Sequence, residues 1–372
     1  MKTVVAVQKC SSYKPDEVFK AMKKALALTG DLDVKGKRVL LKPNILRDAP
    51  AHRALTTNPE FVRAAIRLCR EAGAARIMVG DSPGVHLSNF DGRTCGIRQV
   101  VEEEEAQWVD FSGPKYKISV PDAYKEEEFL LAGVLKEADA VISLPKLKTH
   151  QLMGYTGAIK NLYGLVPGYA KAGYHVKYPG RDDMGKLIID LVRSIKPHYA
   201  FMDGIVAMEG PGPGNGFPRS VGLVAVSASL LGLDIFASQL IGYSWDDIPT
   251  NRYGAVVLDK IKGPEDIEIR GISPDKFSLS DFQRIETGRP GVLLRILLRF
   301  GWIRCIETKL RPKPVFQHDR CIRCGECVAI CASKALSFHG KGENRRVSID
   351  YRKCIRCYCC HEVCPVDAIS IV

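Results

Sequence analysis

The sequence predicts an α/β body with a mostly parallel sheet and helices on both faces, followed by a small C-terminal α+β domain. Two observations carry this prediction. Over residues 1–283, short apolar runs alternate with longer amphipathic segments, which is the pattern of βαβ units. Over residues 317–372, two runs of closely spaced cysteines replace that alternation. A chain of 372 residues, 46% of them hydrophobic, is long enough for the body to bury a full core.

Local signals define the elements of the body. Pro15 suits the first turn of a helix that Gly30 ends, and Asn58 caps a second helix that opens at Pro59 and stops at Gly73. We predict further helices at 91–105, 153–165, 184–195 and 230–243, with the first at 15–28. We predict strands at 3–8, 37–41, 76–79, 108–111, 140–144, 199–202 and 221–226, and added antiparallel strands within 116–135.

Polar residues stand where four of these strands end. In open α/β sheets, ligands bind beyond the carboxyl ends of the strands, so we expect these side chains to share one crevice. The predicted ligand-binding residues are Lys42, Asn44, Ser82, Lys146, Lys148, Lys160 and Asn161, and the predicted catalytic residues are Asp81, His150, Asp203 and Glu209. The lysines suit a carboxylate or a phosphate, and the acidic residues and the histidine suit proton transfer.

A more specific prediction concerns two of these lysines, which we expect to bind the same anion. Lys146 and Lys148 follow one buried strand, and alternation in an extended segment points both to the same side. Replacing either by Ala should then abolish ligand binding. The alternatives are that the lysines are solvated loop charges, and that Asp81, Asp203 and Glu209 hold a divalent cation instead. The glycine-rich loop at 210–216 matches neither a P-loop nor a dinucleotide-binding fingerprint.

A basic segment follows the body. Residues 284–320 hold nine Lys and Arg against three Asp and Glu. Within 284–316 we predict a basic amphipathic helix, at 289–310, and a linker that contains Pro312 and Pro314. We expect the helix to pack the C-terminal domain onto the body, and the alternative is peripheral contact with a membrane surface.

The two cysteine runs share one spacing, C-x2-C-x2-C-x3-C, which is the bacterial ferredoxin pattern for two [4Fe–4S] clusters. In that pattern the fourth cysteine of each run ligates the other cluster. We therefore assign Cys321, Cys324, Cys327 and Cys364 to one cluster, and Cys354, Cys357, Cys360 and Cys331 to the other. Zinc is not expected, because structural zinc sites use pairs of cysteines. Cys359, inside the second run, is interpreted as a spare thiol.

Composition limits the compartment and the partners. The remaining cysteines are scattered, the start of the chain lacks a secretion signal, and no apolar run has the length of a membrane span. We therefore expect a cytoplasmic protein. The net charge of +12 is concentrated towards the C-terminal end, which favours an acidic redox partner protein or an anionic surface. Nucleic acid is not expected, because no nucleic-acid-binding motif accompanies the charge.

Five short motifs carry a family resemblance over about residues 35–245. They are Lys42-Pro43-Asn44, Gly80-Asp81-Ser82-Pro83-Gly84, Pro145-Lys146-Leu147-Lys148-Thr149-His150, Lys160-Asn161-Leu162-Tyr163-Gly164, and Asp203-Gly204 with Glu209-Gly210-Pro211. The sequence resembles the family catalogued as domain of unknown function 362, whose members often carry a C-terminal ferredoxin module. The resemblance implies that these positions form one site, and it implies no reaction.

The function expected from these features is that of an iron–sulfur oxidoreductase or electron-transfer protein whose body binds an anionic small molecule. Tethering the clusters to the body raises the local concentration of reductant. A flavin is a further cofactor to consider, since it would convert single electrons into pairs. The alternative is a non-enzymatic electron carrier or metallocofactor accessory protein whose body docks a protein partner.

Overall fold

The computed structural model describes residues 2–82, 90–168, 170–258, 261–277, 279–286, 311–340 and 342–372. The strands are β1 Thr3–Lys9, β2 Arg38–Pro43, β3 Arg76–Val79, β4 Gln107–Trp108, β5 Lys115–Ser119, β6 Glu128–Ala132, β7 Ala140–Leu144, β8 Lys146–His150, β9 Gly154–Thr156, β10 Tyr199–Glu209, β11 Phe217–Ser227, β12 Ile267–Gly271, β13 Pro314–Phe316, β14 Leu336–His339, β15 Arg346–Ile349 and β16 Ile369–Ile371. The helices are α1 Pro15–Thr29, α2 Pro59–Glu71, α3 Ile97–Glu103, α4 Ala158–Asn161, α5 Ala170–Lys177, α6 Arg181–Ile195, α7 Leu230–Leu240, α8 Pro249–Val257, α9 Glu326–Ile330 and α10 Cys359–Val363.

One large sheet organises the body, in the order β12-β1-β11-β10-β7-β2-β3-β4, with β8 beside β10 and β9 beside β8. Its pairings are parallel except those that β11 makes with β1 and β10, and that of β8 with β9. The predicted mostly parallel α/β fold is therefore confirmed. The predicted antiparallel strands within 116–135 form a separate hairpin, β5 with β6.

The sheet is covered by helices on both faces. Val39 and Leu41 of β2 lie in one hydrophobic core, to which α1, α2 and α3 contribute. Leu40, the residue between them, lies in a second core with residues of α4, α6 and α7. Successive side chains of a strand point to opposite faces, so β2 is buried on both sides and reads as a continuous apolar run.

Helix starts were predicted well where a cap was local. Asn58 accepts a hydrogen bond from the backbone N–H of Glu60, and Pro59 opens α2. The helix predicted at 91–105 begins only at Ile97, because the Asp48 carboxylate accepts from the N–H groups of Thr94 and Cys95 and holds that segment in turns.

The stretch predicted as a single helix at 153–165 is divided. It contains β9, the short helix α4 and a 3-10 turn over Leu162–Leu165. Gly154 has a φ of 80°, which a continuous helix does not allow. Helices α5 and α8 and strand β12 were not predicted. The apolar positions of α5 and α8 are few, and β12 is mostly exposed, so none of the three has a clear pattern of buried positions.

The C-terminal module pairs β13 with β16 and β14 with β15, both antiparallel, around the short helices α9 and α10. Pro314, predicted as part of the linker, lies in β13. The helix predicted at 289–310 lies outside the described residues. In the part of the chain that is described, no helix combines the length and the apolar character needed to cross a membrane.

Candidate functional site

A cavity of about 90 Å³ lies between the body and the C-terminal module. The body contributes the residues that follow β2 and β3, together with α4 and α5, and the module contributes α9 and α10. The polar and reactive lining residues are Lys42, Asn44, Asp81, Ser82, His150, Thr156, Lys160, Asn161, Tyr163, Lys171, His175, Cys359 and Glu362. The carboxyl ends of parallel strands therefore do lead to a pocket, and the module closes it.

A buried ion pair forms one wall of the cavity. The ammonium of Lys42 lies 2.7 Å from Oδ1 of Asp81, and both side chains are almost fully buried. The other Asp81 oxygen accepts from the backbone N–H of Ile45 at 2.7 Å. Burial lowers the pKa of Lys42, and Asp81 opposes that shift. A Cβ at Gly164 would lie 2.3 Å from Oδ1 of Asp81, so the pair requires glycine at this position.

Asn161 ties this wall to the sheet. Its amide nitrogen donates to the carbonyl of Lys42 at 2.8 Å and to Oγ of Ser143 at 3.1 Å. Its amide oxygen accepts from Nδ2 of Asn44 at 3.4 Å. The Oδ1 atom of Asn44 is buried and has no hydrogen-bond partner among the described residues. That oxygen is an acceptor for which the described protein supplies no donor.

Helix α4 places Lys160 on the cavity. The buried Asp234 carboxylate accepts from the N–H groups of Ala158 at 2.7 Å and Ile159 at 2.9 Å, which fixes the first turn. Among the described residues, the Lys160 ammonium has no hydrogen-bond or ion-pair partner. Burial lowers its pKa, and Glu362 opposes that shift. A cation on a cavity wall without a close partner is suited to an anionic ligand.

A second ammonium reaches the cavity from α5. Lys171 donates to the carbonyl and to Oγ of Ser82, the latter at 3.1 Å. Burial lowers the pKa of Lys171 to about 7. The lysine therefore exchanges its proton near neutral pH. This residue was not predicted, because nothing local distinguishes it from a solvated lysine of an ordinary helix.

The two histidines of the cavity are neutral. Burial lowers the pKa of His175 to about 3, and its Nδ1 has no hydrogen-bond partner among the described residues. Burial also holds the pKa of His150 well below its ordinary value. Nδ1 of His150 accepts from the N–H groups of Leu152 and Met153, which leaves the proton on Nε2, 3.4 Å from the Glu362 carboxylate. Burial raises the pKa of Glu362.

The structure does not place the two lysines of β8 on the cavity, contrary to the expectation that one anion meets both. Lys146 lies 2.9 Å from Asp203, buried, and also donates to the hydroxyl of Tyr13. Lys148 donates to the carbonyl of Leu55 at 2.9 Å. Both side chains are buried, because β8 lies between its partner strands β10 and β9 inside the body. Their ammonium groups are used inside the body and are not solvated loop charges either.

Two predicted catalytic residues also lie away from the cavity. Asp203 accepts from Lys146, Tyr13 and the N–H of Asn58, and so binds three segments of the body together. Glu209 accepts from the N–H of Gln283 at 3.1 Å. The predicted alternative of a divalent cation held by Asp81, Asp203 and Glu209 is not favoured, because each carboxylate is engaged elsewhere. Nor do the described residues include a group of three or more His, Cys, Asp or Glu side chains that could hold a single metal ion.

Arginines dock the module beside the cavity. Arg47, which is buried, donates to the carbonyls of Cys364 and Gly214 and lies 3.2 Å from Asp367. Arg53 lies 2.5 Å from the same carboxylate. A Cβ at Gly214 would lie 2.9 Å from the carbonyl of Glu362. The glycine-rich loop therefore forms part of the docking surface for the module.

The cysteines of the module gather in two groups. Cys321, Cys324, Cys327 and Cys364 line one small cavity of about 20 Å³. Burial and the nearby thiols of Cys357 and Cys331 raise the pKa of Cys354, so the second group also draws a cysteine from each run. In the ferredoxin pattern the fourth cysteine of each run ligates the cluster of the other run, and each of these two groups contains such a cysteine. Four thiols around a small space suit a cubic cluster. Cys359 instead lines the cavity between the body and the C-terminal module.

Comparison with known protein families identifies both parts. The family described as domain of unknown function (DUF362) matches residues 39–239. The chain belongs to this family. A 4Fe-4S dicluster domain matches residues 320–368, so the chain is an iron–sulfur protein. Both matches agree with the fusion that the sequence motifs indicated.

The chain is also similar to one individual protein by sequence and to two solved structures by superposition. A thylakoid-associated protein of Synechocystis sp. is 34% identical over 321 residues, which cover 82% of this chain and 97% of that protein. The lactate racemase apoprotein from Thermoanaerobacterium thermosaccharolyticum superposes with a TM-score of 0.43 and 13% identity over 65% of this chain and 57% of that chain. A protein from Thermotoga maritima superposes with a TM-score of 0.38 and 14% identity over 58% of this chain and 56% of that chain.

Proposed function

We propose that this protein is an iron–sulfur oxidoreductase that binds a small carboxylate or phosphate in the cavity between its body and its C-terminal module. The observation that carries the proposal is the Lys160 ammonium, which lines the cavity and has no close partner among the described residues. Eight cysteines would hold two [4Fe–4S] clusters, Cys321, Cys324, Cys327 and Cys364 for one and Cys331, Cys354, Cys357 and Cys360 for the other. When bound, the clusters supply single electrons.

The cavity adjoins the second cysteine run. Helix α10, which contains Cys360, contributes Cys359 and Glu362 to the cavity wall. Ala172 of α5 packs in an apolar cluster with Ile330 and Cys359, and Cys357 lies alongside. A ligand in the cavity is therefore close to the cysteines assigned to the second cluster. This arrangement supports electron exchange with a ligand of the body.

The residues of the cavity can bind and orient an anion. Lys160 and Lys171 supply positive charge. The amide nitrogen of Asn44 makes one hydrogen bond, to Asn161 at 3.4 Å, and has a second N–H that can donate to a ligand. The amide nitrogen of Asn161 donates to the Lys42 carbonyl and to Oγ of Ser143, so that residue positions the wall. The neutral His175 can accept or donate one more hydrogen bond at Nδ1, depending on its tautomer. A cavity of about 90 Å³ is well below the 300 Å³ or more that is typical of cofactor-sized pockets, which favours a small anion over a flavin.

A proton can accompany the electrons from the same residues. Lys171 has a pKa of about 7, so both its charged and its neutral forms exist near neutral pH. The carboxylate of Glu362, whose pKa burial raises, lies 3.4 Å from Nε2 of His150, the nitrogen that carries the proton of that ring. Groups whose pKa lies near the working pH are the most effective general acids and bases.

The proposal is tested on the full chain with reconstituted clusters, purified without oxygen. Iron analysis should give about eight irons per chain. Thermal unfolding in the presence of acetate, oxalate, malonate or inorganic phosphate should reveal at least one stabilising anion, since a ligand that binds the native state raises Tm. The same anion should change the electron paramagnetic resonance spectrum of the dithionite-reduced protein.

Two outcomes would contradict it. If none of the anions raises Tm, the body has no anion site of the proposed kind. If an anion binds but leaves the spectrum of the reduced clusters unchanged, the ligand and the clusters are not coupled. Either result would favour the alternative of a non-enzymatic electron carrier or accessory protein whose body docks a partner.

A further inference from the structure

The two cysteine runs differ in their access to solvent. In the first run Cys324 is exposed, and Ile322 is 59% exposed. In the second run Tyr358 is 3% and Cys360 is 9% exposed, because that run packs towards the body. Within the described residues, the first run is therefore the side of the module that another protein can reach.

Arginines surround the exposed run. Arg320, Arg323, Arg345 and Arg346 are all exposed, and no ion pair joins any of them to a carboxylate of the described residues. A hollow of about 420 Å³ beside Cys321 is lined by His318, Asp319, Cys321, Arg323, Arg345 and Arg346. Asp319 is the acidic residue among these lining residues. Glu326, between Cys324 and Cys327, is a second carboxylate near this run. Four arginines against these two carboxylates leave the surface around the first run positive.

One of these arginines is held in place against the cysteine loop. The guanidinium of Arg345 lies 3.7 Å from the centre of the Phe338 ring. Phe338 in turn packs on the loop, since a Cβ at Gly325 would lie 3.4 Å from its ring. Gly325 lies next to Cys324. The positive charge is therefore fixed beside the cysteines of the first run.

We propose that this surface, formed by Arg320, Arg323, Arg345 and Arg346 around Cys321 and Cys324, docks a small acidic electron-carrier protein. The exposed Ile322 supplies an apolar contact, and the arginines form a positive rim. One electron passes between the reduced carrier, which becomes oxidised, and the cluster assigned to the first run, which becomes reduced. The cavity of the body lies beside α10 of the second run.

An acidic partner follows from the charges. A face with four arginines that make no ion pair with a carboxylate of the described residues attracts a negative surface and repels a positive one. Electrostatic steering of this kind raises association rates by about 10- to 1,000-fold at low ionic strength. The effect weakens as salt screens the charges, over a Debye length of about 10 Å at 0.1 M. Dependence on salt is therefore the signature to measure.

The test uses the full chain with its clusters and a small acidic plant-type ferredoxin as the probe. The double variant Arg345→Glu/Arg346→Glu is compared with Lys20→Glu/Lys24→Glu, which makes the same change in net charge at exposed positions of α1. Titration calorimetry gives the affinity, and stopped-flow absorbance gives the rate of electron transfer. Iron content and the spectrum of the reduced clusters are checked for each variant.

We expect the arginine variant to lower both affinity and rate at least tenfold in dilute buffer, as loss of steering predicts, with the gap closing in about 0.5 M salt. The α1 variant should stay within about twofold of the parent. If the arginine variant loses iron, Arg345→Gln/Arg346→Gln replaces it, with a smaller loss in the same direction. Equal affinities for parent and arginine variant, or equal losses in both double variants, would overturn the proposal. So would unchanged carrier binding together with lost sedimentation on phosphatidylglycerol vesicles, which would assign the surface to a membrane.

Discussion

The lysines of β8 and the lysines of the cavity are chemically identical, and burial lowers the pKa in both groups. Lys146 compensates for its burial with Asp203 at 2.9 Å. Lys148 donates to a backbone carbonyl and has no ion-pair partner among the described residues, and burial lowers its pKa to about 7. Lys160 has no such partner among the described residues and faces a cavity. The difference between Lys146 and Lys160 teaches that a buried lysine is suited to bind an anion where it faces a cavity and no carboxylate of the described residues pairs with it.

The largest effect on stability is expected from breaking the ion pair between Lys146 and Asp203. Asp203→Ala leaves the Lys146 ammonium buried and uncompensated, which should lower the free energy of unfolding by about 3–5 kcal/mol. Urea denaturation measures the change. The double variant Lys146→Met/Asp203→Leu removes both charges and should recover the part of the loss that comes from the unpaired ammonium. The part that comes from the Tyr13 hydroxyl and the Asn58 N–H, which lose their acceptor, should remain. If Asp203→Ala unfolds at the same urea concentration as the parent, the ion pair between Lys146 and Asp203 does not stabilise the fold.

The next largest effect is expected from removing the Lys160 ammonium, which should weaken anion binding without lowering stability. Lys160→Ala removes a charge-assisted hydrogen bond to the ligand, so the affinity for the best-binding anion of the panel should fall about ten- to a hundredfold. The free energy of unfolding without ligand should not decrease. Lys24→Ala, at an exposed position of α1, is the control and should bind as the parent does. Parent-like affinity in Lys160→Ala would remove the central support for the anion site.

Two glycine substitutions test how tightly the ion pair of Lys42 and Asp81 is packed in the cavity wall. Gly164→Ala puts a Cβ 2.3 Å from Oδ1 of Asp81 and 2.6 Å from Cε of Lys42. The forced shift should cost about 1–3 kcal/mol of stability and weaken anion binding. Gly173→Ala, in α5, is the matched control. A Cβ there meets no atom within 4 Å, so it should be neutral or stabilise the protein by up to about 1 kcal/mol. Similar stability losses at both glycines would show that the Lys42 and Asp81 pair is not tightly packed.

The smallest effect concerns pH. The pKa of Lys171 is lowered to about 7 in the folded protein, so its ammonium is charged below pH 7 and neutral above it. Oxalate affinity should therefore fall from pH 6 to pH 8, by up to about tenfold. Oxalate is used because its carboxylates stay ionised over this range. The variant Lys171→Met should bind more weakly at pH 6 and show a flatter profile, and a pH-dependent fall that survives in it would exclude this lysine as the cause.

The same lysine also affects stability, with the opposite sign. A lowered pKa means that the folded state binds fewer protons than the unfolded state between about pH 7 and pH 10.4. In the absence of ligand, the contribution of Lys171 to the free energy of unfolding should therefore increase as the pH rises through that interval. Comparing urea denaturation of the parent and Lys171→Met at pH 7 and pH 9 isolates this contribution.

Several site residues could be found from strand ends alone. Lys42 lies at the end of β2 and Asn44 just after it, and Asp81 and Ser82 follow β3. Parallel strands bring their carboxyl ends to one edge of the sheet. Lys146 and Lys148 looked equivalent by that rule. Their true surroundings depend on β10, where Asp203 lies 57 residues after Lys146. No local pattern records which distant carboxylate meets a given lysine.

By itself, the sequence determined what depends on near neighbours. The apolar runs of buried strands, the Asn58 cap and the spacing of the cysteines act over a few residues, so they can be read directly. The tertiary structure alone decided which charges are compensated and what closes the cavity. Glu362 and Cys359 line the same cavity as Lys160, which lies about two hundred residues earlier in the chain. Burial and Coulomb interactions depend on distance in space, and the fold sets that distance.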